Sequence, residues 1–128
     1  MKALTLLLSM MLLTTMLHAQ KEIKAEEAYQ HEGDSVVLTG TVMGGRYLQN
    51  AVNGPTLLNL GAAYPNQLLT VVIYEQDRAL FKEAPETFFM KKTVRVAGKI
   101  ELYKGKPQIV IHDQKQLTVA GATEPAKN

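Results

Sequence analysis

Apolar and polar residues alternate with a period of two through most of the chain. In residues 35–42, for example, Val36, Leu38 and Val42 share one parity, and the other parity carries threonines. This alternation is typical of a strand with one buried face. The same pattern recurs further along, and it predicts a last strand that is broken or bent. The predicted strands are five: 35–42, 57–60, 68–74, 94–102, and 108–112 continued by 117–119.

Two short segments have helical rather than strand-like spacing. Residues 23–30 carry early glutamates, which suit the positive end of a helix dipole. Residues 76–83 have helical spacing, and Pro85 follows closely as a stop signal. We therefore expect a short N-terminal helix and a single helix between the third and fourth strands.

Glycines interrupt the apolar parity of two predicted strands. Gly40 in the first strand and Gly98 in the fourth stand where an apolar side chain is expected. A glycine there typically marks a bulge, a bend or a close backbone approach. Such bends let a small sheet coil onto itself and hide its edges. By contrast, Gly44-Gly45 and residues 50–55 indicate a loop after the first strand.

The order of the elements predicts an all-β, mainly β domain. Three strands, one helix and a two-stranded hairpin form the layout of the OB-fold, a five-stranded Greek-key barrel. The helix between strands three and four would plug the open bottom of the barrel. An SH3-like barrel is the competing architecture, but it usually lacks a helix of this length at this point.

Segment 1–19 has the pattern of a secretory signal peptide: an early lysine, a run rich in Leu, Met, Ala and Thr, and Ala19 at a cleavage site. An uncleaved membrane anchor is the alternative, but polar residues interrupt a core that falls short of the ~20 apolar residues of a spanning helix. We expect cleavage after Ala19 and export to the periplasm or the medium, with no membrane attachment afterwards. Residues 20–119 then form one OB-fold domain, followed by a disordered tail at 120–128.

Composition limits the chemistry that this domain can carry. The 128 residues include no cysteine, which excludes disulfides, a thiol nucleophile and a cysteine-based zinc site. The net charge of +2 favours no particular partner, but the charges are unevenly distributed. Acidic residues are in excess in 21–34, whereas residues 91–108 combine six lysines and arginines with Glu101 alone. Such asymmetry can make one face attractive to anions, although lysines that only keep strand faces soluble are the common alternative.

The sequence lacks a recognisable catalytic constellation. His31-Glu32 and His112-Asp113 are the histidine–acid pairs of the exported chain, and neither has a second histidine at metal-ligand spacing. Ser35 lacks the G-x-S-x-G setting of an activated nucleophile. We therefore expect a binding module rather than an enzyme, with no metal and no cofactor.

Three stretches, HEGDSVVLTGTV, LLNLGAAYPNQLLTVVIY and KTVRVAGKIELYKGKPQIVIHDQKQL, lie between residues 31 and 119. Together they resemble bacterial OB-fold domains related to nucleic-acid-binding modules. The likeness is to small exported bacterial proteins that carry such a domain, some of which bind DNA. Its most specific part is the strand–turn–strand VRVAGKIELYKGKPQIVI. The resemblance implies the fold more strongly than the function, because one fold hosts many ligands.

The resemblance also implies a ligand surface on strands two and three and on the loops that join strands one to two and four to five. The matching candidates are Arg46, Tyr47 and Asn50 in the first loop, Tyr64 and Asn66 in the turn between strands two and three, Tyr74 on strand three, and Tyr103, Lys104 and Lys106 in the second loop. Tyrosines beside lysines suit single-stranded nucleic acid, whose bases stack on aromatic rings while its phosphates meet cations.

The expected partner is therefore single-stranded DNA or RNA, bound with little sequence preference. Two alternatives stay open. One is a small-molecule, oligosaccharide or protein-binding module of the cell envelope, because OB barrels also take oligosaccharides. The other is a structural domain whose strand edge pairs with another protein. The candidates also have purely structural interpretations: ordinary turn chemistry for Tyr64, and protection of a sheet edge for Lys104 and Lys106.

Overall fold

β-Strands are the main regular structure in the computed structural model, which describes residues 20–121. The strands of this range are β1 Lys21–Lys24, β2 Ser35–Tyr47, β3 Thr56–Leu60, β4 Leu69–Ile73, β5 Thr93–Lys99, β6 Glu101–Tyr103, β7 Lys106–Ile111 and β8 Leu117–Val119. The helices are α1 Glu75–Arg78, α2 Pro85–Phe88 and two 3₁₀-helices, Ala25–His31 and Gln114–Gln116. The predicted signal peptide, 1–19, and all but the first two residues of the predicted tail, 120–128, lie outside the described residues.

The strands form one open, mixed sheet in the order β6–β7–β4–β3–β2–β5–β8, with β1 beside β2. β1 pairs with β2 in parallel, as β7 does with β4, and the other pairs are antiparallel. The long strand β2 joins two halves of the sheet, because residues 35–41 pair with β5 and residues 42–47 with β3. A register shift between Val42 and Gly44 marks the change of partner, as expected where a strand bends.

The prediction of a mainly β domain is confirmed, but the structure has eight strands within residues 20–121 rather than five. The predicted fourth strand, 94–102, is divided at Ile100 into β5 and β6. The two pieces of the predicted fifth strand are β7 and β8, and β8 pairs with β5 rather than extending β7. β1 has no counterpart in the predicted set, because only Ile23 of its four residues is buried and no alternation is visible.

The helix predicted for residues 76–83 is wrong in extent, because the structure has two one-turn helices, α1 and α2. Pro85, expected to stop a helix, begins α2 instead. The first helical position suits proline, since its missing N–H needs no partner there. The predicted N-terminal helix, 23–30, is also corrected: Ile23 belongs to β1, and a 3₁₀-helix begins only at Ala25. None of the helices in residues 20–121 has the length and apolar character needed to cross a membrane.

The core covers one side of the sheet with aliphatic side chains from several strands. Fully buried examples are Leu38, Leu58, Val71 and Ile109. Phe89 joins this core after α2, and the ring of Phe81 packs edge-on at 6.1 Å between centroids. Phe88, by contrast, is exposed, and the ammonium of Lys92 lies 3.6 Å from its ring centroid.

Two glycines permit close approaches that the sequence pattern anticipates. A Cβ on Gly98 would lie 2.5 Å from Cγ2 of Ile109, so β5 can approach β7 this closely only without a side chain. A Cβ on Gly40 would lie 3.1 Å from the Cβ of Ala25 in the first 3₁₀-helix. Both glycines are therefore points of close approach, whereas the pairing of β2 with β5 runs through Gly40 and Gly98 without the register shift of a bulge.

Gly44 and Gly45, expected in a loop, lie inside β2, which continues to Tyr47. Helix α2 packs directly on this part of the strand. A Cβ on Gly45 would meet the Cβ of Glu86 at 3.1 Å. Gly45 therefore reflects the close packing of α2 against the strand, which the loop-like composition of this segment does not reveal.

Candidate functional site

The side of the sheet that faces away from the core, called the outer face below, carries a polar row. Asn59 of β3 pairs with Thr70 of β4, Thr70 with Gln108 of β7, and Gln108 with Glu101 of β6. Directly paired residues point to the same face of a sheet, and successive residues alternate. The strand neighbours of these residues on β3, β4 and β7 are buried in the core, so this row points outwards.

A second row of the outer face lies next to the β6–β7 turn. Tyr103 pairs with Lys106, and each is two residues away from its partner in the polar row, Glu101 or Gln108. The period of two places all four on one face. Two residues along a strand correspond to about 7 Å, so the two rows are close neighbours.

Four of the nine sequence-predicted site residues meet at this turn: Tyr64, Tyr103, Lys104 and Lys106, called the tyrosine–lysine cluster. Nζ of Lys106 donates a hydrogen bond to the Pro65 carbonyl and lies 6.0 Å from the ring centroid of Tyr64. Nζ of Lys104 lies 5.4 Å from the ring centroid of Tyr103. The two tyrosines are 76% and 60% exposed, so most of each ring is open to solvent.

The backbone of two turns positions this cluster. Lys104 has a φ of 51° and Gly105 a φ of 78°, and positive φ at both central residues is the hairpin geometry that matches strand twist. Lys106, predicted in the turn, is instead the first residue of β7. Asn66, a fifth candidate, is exposed beside Tyr64, and its N–H donates to the Ala63 carbonyl at 2.9 Å.

The other four candidates lie at the opposite end of β3 and β4, around the Tyr47–Thr56–Ile73 pairing. Arg46 and Tyr47 belong to β2 rather than to a loop, because β2 continues past the glycine pair. Asn50 is exposed in the connection that follows. Tyr74 comes directly after β4 rather than on it and precedes α1. The nine candidates therefore form two groups at opposite ends of two strands, and not the single surface expected from the sequence.

Tyr47 is held by a network of charged side chains. Cζ of Arg78 lies 3.8 Å from the centroid of its ring, and its hydroxyl donates to Oε1 of Glu75 at 3.1 Å. Arg78 also donates to both carboxylate oxygens of Glu86, at 2.7 and 2.9 Å, and to Oγ1 of Thr56 at 2.6 Å. These residues are called the Tyr47 cluster. One face of the Tyr47 ring is thus already occupied by a guanidinium of the same chain.

The electrostatics of the Tyr47 cluster favour its charged pair. The hydrogen bond from Arg78 holds the pKa of Glu86 below its ordinary value, and partial burial opposes that shift. The same hydrogen bond raises the pKa of Arg78. Partial desolvation, followed by the hydrogen bond to Glu75, raises the pKa of the Tyr47 phenol. At neutral pH the pair is therefore charged and the phenol is protonated.

A shallow hollow of about 490 Å³ lies near the Tyr47 cluster. It is lined by Asn53, Tyr74, Glu75, Gln76 and His112. Nδ1 of His112 lies 2.8 Å from Oδ2 of Asp77, so a carboxylate orients this exposed imidazole. Among residues 20–121, no three His, Asp or Glu side chains are grouped so as to hold a metal ion.

Sequence reasoning missed several residues that the structure places next to the candidates. Arg78 falls in the predicted helix 76–83, whereas Glu86 follows the expected stop at Pro85, so the sequence pattern gives no reason to expect that they meet. Gln108 and Glu101 could have been found, because they share the parity of Lys106 and Tyr103 on two paired strands. Their position follows from the predicted hairpin alone.

Comparisons with known proteins concern the fold. No protein-family model and no curated protein matches the chain. Among solved structures, it is similar to a chain described as an aspartyl-tRNA synthetase from Leishmania major Friedlin, with a TM-score of 0.50 and 10% identity over 90% of this chain and 23% of that chain. It is also similar to the S. pombe Stn1–Ten1 complex, with a TM-score of 0.43 and 11% identity over 84% of this chain and 83% of that chain. The chain thus spans less than a quarter of the synthetase, and the first similarity indicates a shared, OB-like fold.

Proposed function

We propose that the protein is a non-enzymatic module that binds single-stranded nucleic acid through the tyrosine–lysine cluster and the adjoining outer face. The observation that carries this proposal is the pairing of two exposed rings with two lysines. Tyr64 lies beside Lys106 and Tyr103 beside Lys104, and the two pairs meet through the Tyr103–Lys106 register.

The arrangement offers both interactions that a single strand requires. Bases of any sequence can stack on an exposed ring, at about 1–3 kcal/mol for each base, while phosphates are attracted by the neighbouring ammonium groups. The chain with a similar fold is described as a tRNA synthetase, which agrees with this ligand class. The Tyr47 cluster is not part of the proposed binding site, because the guanidinium of Arg78 covers one face of the Tyr47 ring.

The proposal includes closure of the sheet as a five-stranded OB barrel. Ile100 alone separates β5 from β6, and its backbone pairs with Gly33 and Asp34 at 2.8 and 3.0 Å. If β5 and β6 act as one bent strand, its first half pairs with β2 and its second half with β7. The circuit through β2, β3, β4 and β7 then returns to the same strand, which is the arrangement of the OB fold. The complete burial of Ile100 supports this closure.

Export through the predicted signal peptide is part of the same proposal, so the ligand would be met outside the cytoplasm. Expression of the full chain followed by fractionation and N-terminal sequencing tests it. A mature protein that begins at Gln20 in the periplasm or medium is the expected result. Full-length protein retained in the cytoplasm would contradict it.

The binding proposal is tested by fluorescence anisotropy with a labelled, mixed-sequence oligonucleotide at two salt concentrations. We expect binding that weakens steeply with salt, because phosphate contacts release counterions. Replacing both Lys104 and Lys106 by glutamate should abolish it. A matched control replaces Lys82 and Lys115, two exposed lysines outside the cluster, by glutamate. It changes the net charge by the same amount. Equal losses in both double variants would show a general charge effect and sink the proposed site.

The hollow near Tyr74 supports a second candidate function, binding of a small polar ligand or oligosaccharide of the cell envelope. Its lining combines one half-buried ring with the amides of Asn53 and Gln76 and the side chains of Glu75 and His112, so it is mainly polar and suits a polar ligand. Binding at this site should be insensitive to salt. It should be lost in Tyr74→Ala and retained when Lys104 and Lys106 are replaced. Calorimetric screening of envelope oligosaccharides against these variants separates the two functions.

A further inference from the structure

The tyrosine–lysine cluster is bordered by a carboxylate and an amide that have no side-chain partner among residues 20–121. Glu101 is exposed and Gln108 is half-buried, and the two are direct cross-strand partners. Neither side chain makes a hydrogen bond or an ion pair with another residue of the range 20–121. Both groups are therefore free to contact a ligand that lies on the outer face.

Glu101 is the one acidic residue of segment 91–108, which carries six lysines and arginines. A surface that only attracted phosphates would bind more tightly without it, since a carboxylate repels an anionic backbone. Its position two residues from Tyr103 places it about 7 Å away along β6, on the same face. That distance suits contact with the edge of a base whose ring is stacked on Tyr103.

A carboxylate at a base edge distinguishes bases by their hydrogen-bond donors. Cytosine presents an exocyclic amino group, from which a glutamate can accept a hydrogen bond. Thymine carries a carbonyl oxygen at the same ring position, and two acceptors facing each other repel. The amide of Gln108 can serve either base, because it offers both a donor and an acceptor.

We propose that Glu101 gives the tyrosine–lysine cluster a preference for bases with an exocyclic amino group over thymine and uracil. This inference rests on the proposed function, and it replaces the expected absence of sequence preference by a defined one. Stacking and phosphate contacts contribute equally to the affinity for cytosine and for thymine, so the difference in affinity comes from Glu101.

The experiment compares oligodeoxycytidine with oligothymidine of about eight nucleotides, within the range of site sizes for an OB fold. Anisotropy titrations at mildly alkaline pH and fixed salt give both dissociation constants for the wild type, for Glu101→Gln and for a control. The control is Glu83→Gln, which removes one exposed carboxylate from the connection between α1 and α2. Both variants change the net charge by the same amount, so a general charge effect appears equally in each.

We expect the wild type and Glu83→Gln to bind oligodeoxycytidine about tenfold more tightly than oligothymidine, as one favourable base contact allows. In Glu101→Gln the ratio should fall close to one, through weaker binding of cytidine and stronger binding of thymidine. Equal wild-type affinities, or a ratio that Glu101→Gln leaves unchanged, would overturn the inference while leaving nucleic-acid binding intact. Failure of the wild type to bind either oligonucleotide would overturn the proposed function as well.

Discussion

The guanidinium of Arg78 lies over the ring of Tyr47, with Cζ 3.8 Å from the ring centroid. The same guanidinium forms a two-point ion pair with Glu86 and a hydrogen bond to Thr56. Through these contacts one side chain ties α1 to α2, β2 and β3. The helices are a single turn each and too short to be stable alone, so their position depends on this cluster.

Replacement of Arg78 by alanine should therefore lower the free energy of unfolding by about 2 kcal/mol, because charged hydrogen bonds of this kind contribute about 1.5–3 kcal/mol. Urea denaturation followed by circular dichroism measures the loss. The matched control is Arg46→Ala, which removes an exposed arginine one residue from Tyr47. It should stay within about 0.5 kcal/mol of the wild type. Equal losses in the two variants would contradict the structural role of Arg78.

Stability should also fall in acid through Glu86. Its pKa is lower in the folded protein than its ordinary value, owing to the hydrogen bond from Arg78. The stabilisation is therefore complete above the ordinary pKa of a glutamate, about 4.3, and is lost as the pH falls through the lower, folded value. Urea denaturation between neutral pH and about pH 3 measures the slope. Glu86→Gln should be less stable at neutral pH and should depend less on pH in this window; an unchanged acid slope would refute the assignment.

The sequence predicted the elements that rely on local pattern and missed those that rely on contacts. The period of two located β3 and β4 to within a residue, because one face of each strand is buried. It could not extend β2 past Gly44-Gly45, since Gly45 is required by the approach of Glu86 from a distant helix. Likewise, a proline can follow the end of one helix or begin another. Only tertiary packing decides which of the two applies to Pro85.

The candidate site shows the same division. The pairing of Tyr103 with Lys106 follows from a predicted hairpin, whereas the contact of Lys106 with Pro65 joins two turns that are far apart in sequence. The split of the nine candidates into two groups also required the strand pairing. A loop after β2 and a turn after β3 lie at opposite ends of the sheet, a fact that alternation within each strand does not reveal.

Substitution at Gly98 tests the close approach of β5 and β7. An alanine Cβ there would lie 2.5 Å from Cγ2 of Ile109, and a β-branched side chain in a core cannot move aside freely. We expect Gly98→Ala to lose about 1–3 kcal/mol, the usual cost of overpacking, measured as a shift in the urea midpoint. Gly44→Ala is the control, because its new Cβ would meet Ala63 at an ordinary 3.5 Å. A larger loss at Gly44 than at Gly98 would be incompatible with the described packing.

The two lysines of the tyrosine–lysine cluster should contribute to binding in different ways. Lys106 both donates to the Pro65 carbonyl and lies beside the ring of Tyr64, so its removal should loosen the turn that presents this ring. Lys104 contacts Tyr103 from an exposed turn and should act through its charge alone. Lys104→Gln is thus expected to remove about one phosphate contact. The slope of the logarithm of the binding constant against the logarithm of the salt concentration should then become less steep by about 0.7.

A double-mutant cycle separates the two roles, because residues in contact couple and independent ones add. The oligonucleotide affinities of Tyr64→Ala, Lys106→Gln and their combination should show coupling, since either change alone already disturbs the same turn. The parallel cycle of Tyr64→Ala with Lys104→Gln should be additive within about 0.5 kcal/mol. Additivity in both cycles would mean that Lys106, like Lys104, acts only through its charge and that its bond to Pro65 has no part in holding Tyr64.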